Sequence, residues 1–342
     1  MRGGGQRSMY LLIKYLDRSR YTPFLVMPEE GELTEEVRKL GVKIYAILLP
    51  RVRSLNIFKV IAALLKLMIC IRDNSIDLIH VDAPREAIFA GIAGKLLGVP
   101  VVCHLRVSDS EIWLDKILYR LADCFIAVSH AVARRFSSID KKSKVHVVYN
   151  GVELDTCSMR LGRSKSSCLR IGYFGRIDRR KGIDTLVNAV RVLKDNVELL
   201  IMGDGDEAYL TELKKMAIGT DAIFREYKPD VRNDMSLVDV VVLPSYYGEG
   251  LSRVIIEAMA LGKIVIVSDL PENREVLGAQ LEQFVFPVGK SKELAAKLKG
   301  IIENNAILDE KKPVLSKRAE EHFDIRENTR QTESIYDRLI RK

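Results

Sequence analysis

The chain has 342 residues, 47% of them apolar, which suits two domains of about 150 residues better than one core. No apolar run reaches the roughly 18 residues that span a bilayer, and no apolar leader opens the chain, so a cytoplasmic protein is expected. The net charge is +8, and the whole excess lies in residues 1–150, which hold 23 basic and 15 acidic side chains. That half is expected to favour an anionic surface, such as phospholipid headgroups, a lipid diphosphate or nucleic acid; a solvated basic face without a partner is the alternative.

Cysteine and histidine usage argues against disulfides and against a metal site. The five cysteines include no C-x-x-C spacing, so reduced and buried thiols are expected. The five histidines are scattered and form no H-x-x-x-H pair, so no bound metal is expected.

Short apolar runs alternate with amphipathic segments through the first half, which predicts a parallel sheet covered on both faces. Helices are predicted over Asn56–Arg72 and Ala83–Leu97. The predicted strands are PFLVMP, VKIYAILL, IDLIHV, VPVVCHL, DCFIAVS and KVHVVYN. No strand precedes the glycines Gly3–Gly5, so the first strand of this domain is predicted to be missing; an unusual arrangement of the domain is the alternative. Because that strand would be central, its neighbours are expected to have unpaired edges.

The second half repeats the plan, so two Rossmann-like α/β domains are predicted. Its strands are LRIGYFG, VELLIMG, DAIFREY, DVVVLPS and KIVIVSD. The polar stretch Glu153–Ser167 separates the two series, which gives an N-terminal domain over residues 1–155 and a C-terminal domain over residues 156–320. Residues 321–342 are predicted to form a helix that packs back on the first domain.

A candidate phosphate site follows the first strand of the second domain, in the turn GYFGRIDRRKG. Ligands of open α/β sheets lie at the carboxyl ends of strands, and Gly175 permits close approach of the backbone. Arg176 offers a planar fork and Lys181 a mobile point charge, a pair that suits a diphosphate. A solvated basic loop is the alternative, as expected for Arg179 and Arg180.

The segment PSYYGEGLSRVIIEAMALG is a second unit of strand, turn and helix. Its helix is predicted to start near Leu251, and the N-terminal end of a helix favours an anion. Glu257 lies beside the apolar stripe of this helix, where a buried carboxylate needs hydrogen-bond donors such as the two hydroxyls of a ribose. A surface pair between Glu257 and Arg253, four residues earlier, is the alternative.

Two other patterns are less specific. The turn GDGDEA resembles a G-x-G-x-x-A dinucleotide turn, and its Asp204 and Asp206 form a D-x-D pair. No G-x-S-x-G elbow is present, so hydrolase chemistry is not indicated.

These segments together resemble the family 4 glycosyltransferases, the retaining group with the GT-B fold of two Rossmann-like domains that face each other across a cleft. IGYFGRIDRRKGIDTLVNAV resembles the G-R-x4-K-G phosphate-binding turn of that family, and GEGLSRVIIEAMALGKIVIVSD resembles its E-x7-E signature. VHVVYNGVEL, FIAVSHAVARRF and CHLR resemble segments of its first domain. The order and spacing of these motifs make the resemblance specific.

The resemblance implies roles for individual residues. Arg176 and Lys181 would hold the donor's diphosphate, Glu257 would bind the ribose hydroxyls and Glu249 would lie against the donor sugar. The remaining implied site residues are His104 near the sugar, Gly175, Gly250, Leu251 and Ser252 around the sugar and phosphate, and Gly4 and Gly5 on the phosphate side of the first domain.

The implied activity is the transfer of a hexose from a UDP- or GDP-linked donor to a lipid-linked or polysaccharide acceptor in cell-surface glycan biosynthesis. The family needs no metal or other cofactor and no nucleic acid partner. The enzyme would be cytoplasmic, with the basic first domain on the anionic inner face of the plasma membrane. The alternatives are a nucleotide-sugar epimerase of the same fold, a truncated homologue that binds nucleotide without catalysis, and a metal-dependent transferase that uses Asp204 and Asp206.

Overall fold

A computed structural model of the protein describes residues 3–50, 57–108, 111–154, 168–193 and 197–340. The chain divides into two compact units. The first comprises Met1–Gly151 with Ile325–Lys342, and the second comprises Val152–Asp324. The sequence predicts these divisions at residues 155/156 and 320/321. The first predicted division was based on the polar stretch Glu153–Ser167, and residues 155–167 of that stretch lie outside the described residues.

In the first unit, short strands alternate with helices as the apolar runs predict. The strands are β1 (Phe24–Met27), β2 (Lys43–Ala46), β3 (Ile79–Val81), β4 (Val101–Leu105), β5 (Cys124–Ala127) and β6 (Val145–Val147). The helices are α1 (Gly4–Tyr15), α2 (Glu32–Lys39), α3 (Ile57–Asp73), α4 (Glu86–Leu97), α5 (Ile112–Leu121) and α6 (His130–Ala133), with α15 (Ile325–Ile340) added from the C-terminal end. Every strand pair is parallel.

These six strands form two separate sheets, β1–β2 and β3–β4–β5–β6. Within the described residues no strand joins the two sheets, and Gly4 begins a helix that precedes β1. β3 and β6 are therefore the edge strands of the four-stranded sheet, and the missing central strand stays a prediction.

The second unit contains one six-stranded parallel sheet in the order β12-β11-β10-β7-β8-β9. Its strands are β7 (Leu169–Phe174), β8 (Val197–Met202), β9 (Asp221–Arg225), β10 (Val240–Leu243), β11 (Ile264–Ser268) and β12 (Val285–Phe286). β12 was not predicted, because a strand of two residues is too short to show a pattern. Its helices are α7 (Ile183–Leu193), α8 (Glu207–Met216), α9 (Arg232–Ser236), α10 (Arg253–Ala260), α11 (Pro271–Leu277), α12 (Ser291–Glu303), α13 (Ile307–Glu310) and α14 (Lys312–Phe323).

The strand order creates a switch point in the second unit. The chain runs outward from β7 to β8 and β9, and then returns to place β10 on the other side of β7. The loops that follow β7 and β10 therefore diverge from neighbouring strand ends, which is where open α/β sheets bind ligands.

The prediction of one helix over residues 321–342 is wrong at its start. α14 ends at Phe323, Asp324 is extended, and α15 begins at Ile325. Val152 N–H donates to the Phe323 carbonyl at 2.8 Å, so the chain leaves and re-enters the first unit at adjacent points. The change of unit requires an extended residue, which helical periodicity alone does not reveal.

Candidate functional site

Glycine turns bring the loops at the switch point into close contact. A Cβ on Gly203 would lie 1.8 Å from the Gly175 carbonyl oxygen, so the turns after β8 and β7 could not approach with larger residues. Gly182 has a φ of +59°, and a Cβ there would lie 2.2 Å from the Pro244 carbonyl oxygen. The backbone after β7 is thereby held against the end of β10, because only glycine fits both the conformation and the space.

Lys181 and Glu249 meet at this point. Lys181 Nζ donates to Glu249 Oε1 at 2.6 Å, and the Ser245 hydroxyl donates to the same oxygen. Only 6% of Glu249 is exposed, whereas the Lys181 side chain remains 22% exposed. The buried carboxylate therefore holds the ammonium group at the carboxyl ends of β7 and β10. Ser245 was not predicted, although its place directly after β10 is a usable signal.

Arg176 extends from the same loop and is exposed. Within the described residues its guanidinium forms no ion pair, and its carbonyl accepts a hydrogen bond from the Tyr173 hydroxyl at 2.7 Å. Arg179 and Arg180, by contrast, pair with Glu212 and Asp178, as expected for solvated basic residues. The loop thus presents one cation held by a carboxylate and one whose donors face solvent.

A network of tyrosines fixes the backbone of this region, and sequence reasoning missed it. Asp184 accepts hydrogen bonds from the hydroxyls of Tyr246 and Tyr209, each at 2.6 Å. Tyr246 N–H donates to the Arg180 carbonyl at 2.7 Å. These contacts tie the loop after β10 to α7 and to the loop after β7, so the two cations and Glu249 share one rigid support.

The helix of the E-x7-E segment begins at Arg253, two residues later than predicted. Gly250 and Leu251 are buried in the preceding turn, and the Ser252 side chain makes no capping hydrogen bond. Glu257 accepts a hydrogen bond from Arg253 at 2.9 Å through Oε1, which is the helix pair that their four-residue spacing allows. The Glu257 side chain is 19% exposed, and no described residue hydrogen-bonds its Oε2 atom.

Asp206, one of the two carboxylates of the D-x-D pair, caps α8. Its side chain accepts a hydrogen bond from the Tyr209 N–H at 3.0 Å. A structural role thus accounts for this aspartate.

In the first unit, His104 belongs to a polar cluster at the carboxyl end of the β3–β6 sheet. His104 Nδ1 lies 3.1 Å from His80 Nε2 and 3.9 Å from Asp82 Oδ1. Burial lowers the pKa of His104 well below its ordinary value, and the charge of Arg106 adds to that effect. His104 is therefore neutral at physiological pH. His80, Asp82 and Arg106 were not predicted, although Asp82 and Arg106 directly follow β3 and β4 and His80 lies within β3.

Gly4 and Gly5 form the first turn of α1 beside this cluster. A Cβ on Gly5 would contact the Arg106 side chain at 3.4 Å and Asp82 at 3.9 Å. Arg106 Nε donates to Asp82 Oδ1 at 2.6 Å, and its NH1 group donates to Asn150 at 3.0 Å. Gly5 thus lies close to the partly buried ion pair of Asp82 and Arg106.

His80, Asp82 and His104 could in principle hold a metal ion, since their ligand atoms lie within 4.8 Å of one another. However, Asp82 already binds Arg106, and the two imidazoles are within hydrogen-bond distance of each other. A cation would have to displace both interactions and sit beside a guanidinium, so the residues do not fit a metal well.

Comparison with known proteins gives matches along most of the chain. The sequence model described as Glycosyltransferase Family 4 matches residues 2–156, and the one described as Glycosyl transferases group 1 matches residues 168–304. The phosphatidyl-myo-inositol mannosyltransferase of Mycobacterium leprae (strain TN) is 29% identical over 69% of this chain. The UDP-Gal:alpha-D-GlcNAc-diphosphoundecaprenol alpha-1,3-galactosyltransferase of Escherichia coli is 22% identical over 82% of this chain and 80% of its own length.

The match to the mannosyltransferase spans 66% of that protein's length, and the match to an uncharacterized glycosyltransferase of Methanocaldococcus jannaschii spans 61%. Among solved structures, HepE of Anabaena in complex with UDP-glucose superposes with a TM-score of 0.84, at 20% identity, over 98% of this chain and 97% of that chain. The predicted α/β architecture with two Rossmann-like domains is therefore the GT-B fold.

Proposed function

We propose that this chain, which belongs to the family 4 glycosyltransferases, is a retaining hexosyltransferase that uses a nucleoside diphosphate sugar and a lipid-linked or polysaccharide acceptor. The observation that carries the proposal is the convergence of Arg176, Lys181 and the start of α10 at the switch point of the second sheet. UDP is the favoured donor nucleotide, since UDP-glucose is bound in the structure of HepE. A role in glycan biosynthesis is supported by relatives whose names specify lipid or diphospholipid acceptors.

The chemistry follows from where charge develops. Sugar transfer builds positive charge on the anomeric carbon and negative charge on the leaving diphosphate. Arg176 and Lys181 stabilise that negative charge, and Glu249 keeps the lysine in place, so the ammonium group of Lys181 needs little reorganisation during the reaction. In the retaining reaction the acceptor hydroxyl attacks from the leaving-group face and passes its proton to the departing phosphate oxygen. No protein base is then required, which agrees with the lowered pKa of His104, because a weakly basic imidazole is a poor proton acceptor.

Glu257 is proposed to bind the ribose hydroxyls through the carboxylate oxygen that Arg253 does not use. Replacing Glu257 by alanine is expected to weaken UDP binding about tenfold to a hundredfold, because a hydrogen bond to a charged group is worth about 1.5–3 kcal/mol. Isothermal titration with UDP measures the effect.

The matched control is Glu321→Ala, which breaks the same kind of helix pair with Lys317 on α14. Its affinity for UDP should be unchanged. Equal affinities for wild type and Glu257→Ala would contradict the ribose role.

Turnover of the donor sugar to its epimer without an acceptor would favour the epimerase, and UDP binding without any turnover would favour a non-catalytic homologue. Full activity in EDTA would exclude a metal-dependent transferase.

We further propose that the first unit docks on an anionic membrane through one face of α3. No helix in the described part of the chain is long and apolar enough to cross a bilayer. α3 buries Ala63, Leu67 and Ile71 against the rest of the unit. Its opposite side carries large apolar residues that are 47–80% exposed, namely Ile57, Phe58, Ile61, Leu65 and Ile69.

The spacing and charge of residues on the exposed side of α3 suit binding at the headgroup region of a membrane. Phe58, Ile61, Leu65 and Ile69 recur every three or four residues and so form one stripe along the helix. Lys59, Lys66 and Arg72 are exposed on the same helix, within the half of the chain that carries the whole positive excess. An apolar stripe with basic neighbours is the pattern of a helix that lies in the plane of an anionic membrane.

The double variant Phe58→Ser/Leu65→Ser is expected to lose binding to vesicles that contain phosphatidylglycerol. The removed apolar area is worth about 25 cal/mol per Å², so the loss should exceed tenfold in partition coefficient. Vesicle sedimentation measures it, and added salt should release the wild type. Ile218→Ser, at an exposed apolar position of the second unit, is the control. Wild-type protein that fails to bind at low salt would contradict the proposal.

A further inference from the structure

A continuous hydrogen-bonded series connects the C-terminal helix to His104. The Tyr336 hydroxyl on α15 lies 2.6 Å from His80 Nδ1, and His80 Nε2 lies 3.1 Å from His104 Nδ1. His80 pairs with Val102 in the β3–β4 ladder, so His80 and His104 are diagonal neighbours on one face of the sheet. The far nitrogen of His104, Nε2, is buried and has no hydrogen-bond partner among the described residues.

The direction of this series follows from counting donors and acceptors. If Tyr336 donates to His80 Nδ1, then His80 donates from Nε2 to His104 Nδ1, and His104 carries its hydrogen on Nε2. In the opposite direction, His104 would donate from Nδ1 to His80, and His80 would donate from Nδ1 to the Tyr336 hydroxyl oxygen. The hydroxyl hydrogen of Tyr336 would then have no acceptor among the described residues, and His104 Nε2 would be an acceptor without a donor. Each unsatisfied buried group is costly, so the first direction is favoured.

Both imidazoles stay neutral, which preserves this direction of the hydrogen bonds. Burial lowers the pKa of His80 to about 3, with the positive charge of Arg106 acting in the same direction. Protonation of either ring would put a second donor where the series needs an acceptor. The arrangement is therefore expected to hold across the physiological pH range.

We propose that Tyr336 and His80 are positioning residues that fix the tautomer of His104, so that His104 Nε2 presents a hydrogen to an oxygen of a substrate bound at the carboxyl end of the β3–β6 sheet. The inference rests on the proposed sugar transfer for the identity of the ligand but not for the tautomer. It assigns His104 a purely donating role, in which the histidine binds an oxygen and exchanges no proton during turnover.

The tautomer is measured directly by NMR of protein labelled with ¹⁵N-histidine. The chain has five histidines, and His80→Gln and His104→Asn assign the two of interest. We expect the hydrogen on Nε2 of both rings, unchanged between about pH 5 and 8. In Tyr336→Phe the series has no hydroxyl at its start, and either direction of the remaining hydrogen bond between His80 and His104 leaves the same number of unsatisfied ring nitrogens. His104 should then become a mixture of the two tautomers. A wild-type His104 that carries its hydrogen on Nδ1 would overturn the proposal.

The matched control is Tyr21→Phe, which removes a hydroxyl bonded to Asp337 and whose ring packs 5.8 Å from that of Tyr336. It should leave the His104 signals unchanged. The same shift in Tyr21→Phe as in Tyr336→Phe would count against a specific series, since both changes would then act through packing.

A kinetic test separates positioning from packing. The amide nitrogen of glutamine can replace His80 Nε2 as a donor, whereas leucine cannot. We expect His80→Leu to lower kcat/KM about tenfold to a hundredfold and His80→Gln to recover most of that loss. Equal loss in both variants, with equal thermal stability, would overturn the positioning role. If the chain transfers no sugar, the NMR result still decides the tautomer.

Discussion

Lys181→Ala is expected to lower kcat by about 10²–10³-fold, the cost of removing one preorganised group that stabilises developing negative charge. The ammonium group is already held by Glu249 at 2.6 Å and lies at the switch point of the sheet. KM for the donor should change less than kcat, because the leaving diphosphate gains charge in the transition state. Steady-state kinetics with UDP-sugars and a lipid-linked acceptor measure both constants.

The control for Lys181 is Arg179→Ala. Arg179 lies on the same loop but forms an exposed ion pair with Glu212, and such pairs contribute little. Its kcat should equal that of the wild type. Lys181→Arg keeps the charge with a different geometry and should retain part of the activity. A Lys181→Ala enzyme with wild-type kcat and nucleotide affinity would contradict the proposed site.

Glu249→Gln is expected to lower kcat by about a hundredfold, since the carboxylate both positions Lys181 and is proposed to lie against the donor sugar. Glutamine has the same shape and can still accept the Ser245 hydrogen bond, so the loss would report the charge rather than the packing. Because Glu249 and Lys181 act as a pair, the double variant should be much less impaired than the sum of the two single variants predicts.

Incubation of the wild-type enzyme with the donor alone tests the chemical role of Glu249. A covalent nucleophile, as in retaining hydrolases, would form a glycosyl-enzyme adduct with the donor alone. We expect no adduct by mass spectrometry, because Lys181 and Ser245 already occupy Glu249 Oε1. Glu212→Gln, which removes an exposed carboxylate, is the control. Detection of a sugar attached to Glu249 would overturn the positioning role.

Much of the fold follows from local patterns. The apolar runs of β7, β8, β10 and β11 are nearly continuous because both faces of a parallel sheet are covered, so the sequence marks them clearly. The candidate site residues follow from the same principle, since Arg176 and Glu249 come after strands and ligands lie at the carboxyl ends. The pair between Glu257 and Arg253 was also foreseeable, because residues four apart share one side of a helix.

The sequence by itself therefore determined the alternation of strands and helices, the two-domain plan and the position of the cationic turn, because each depends on residues close together in the chain. Only the tertiary structure decided the partners of the functional side chains. Lys181 and Glu249 are 68 residues apart, and Tyr336 and His80 are 256 residues apart. Such pairs depend on the order of strands in each sheet and on the return of α15 to the first unit, and no local periodicity encodes either.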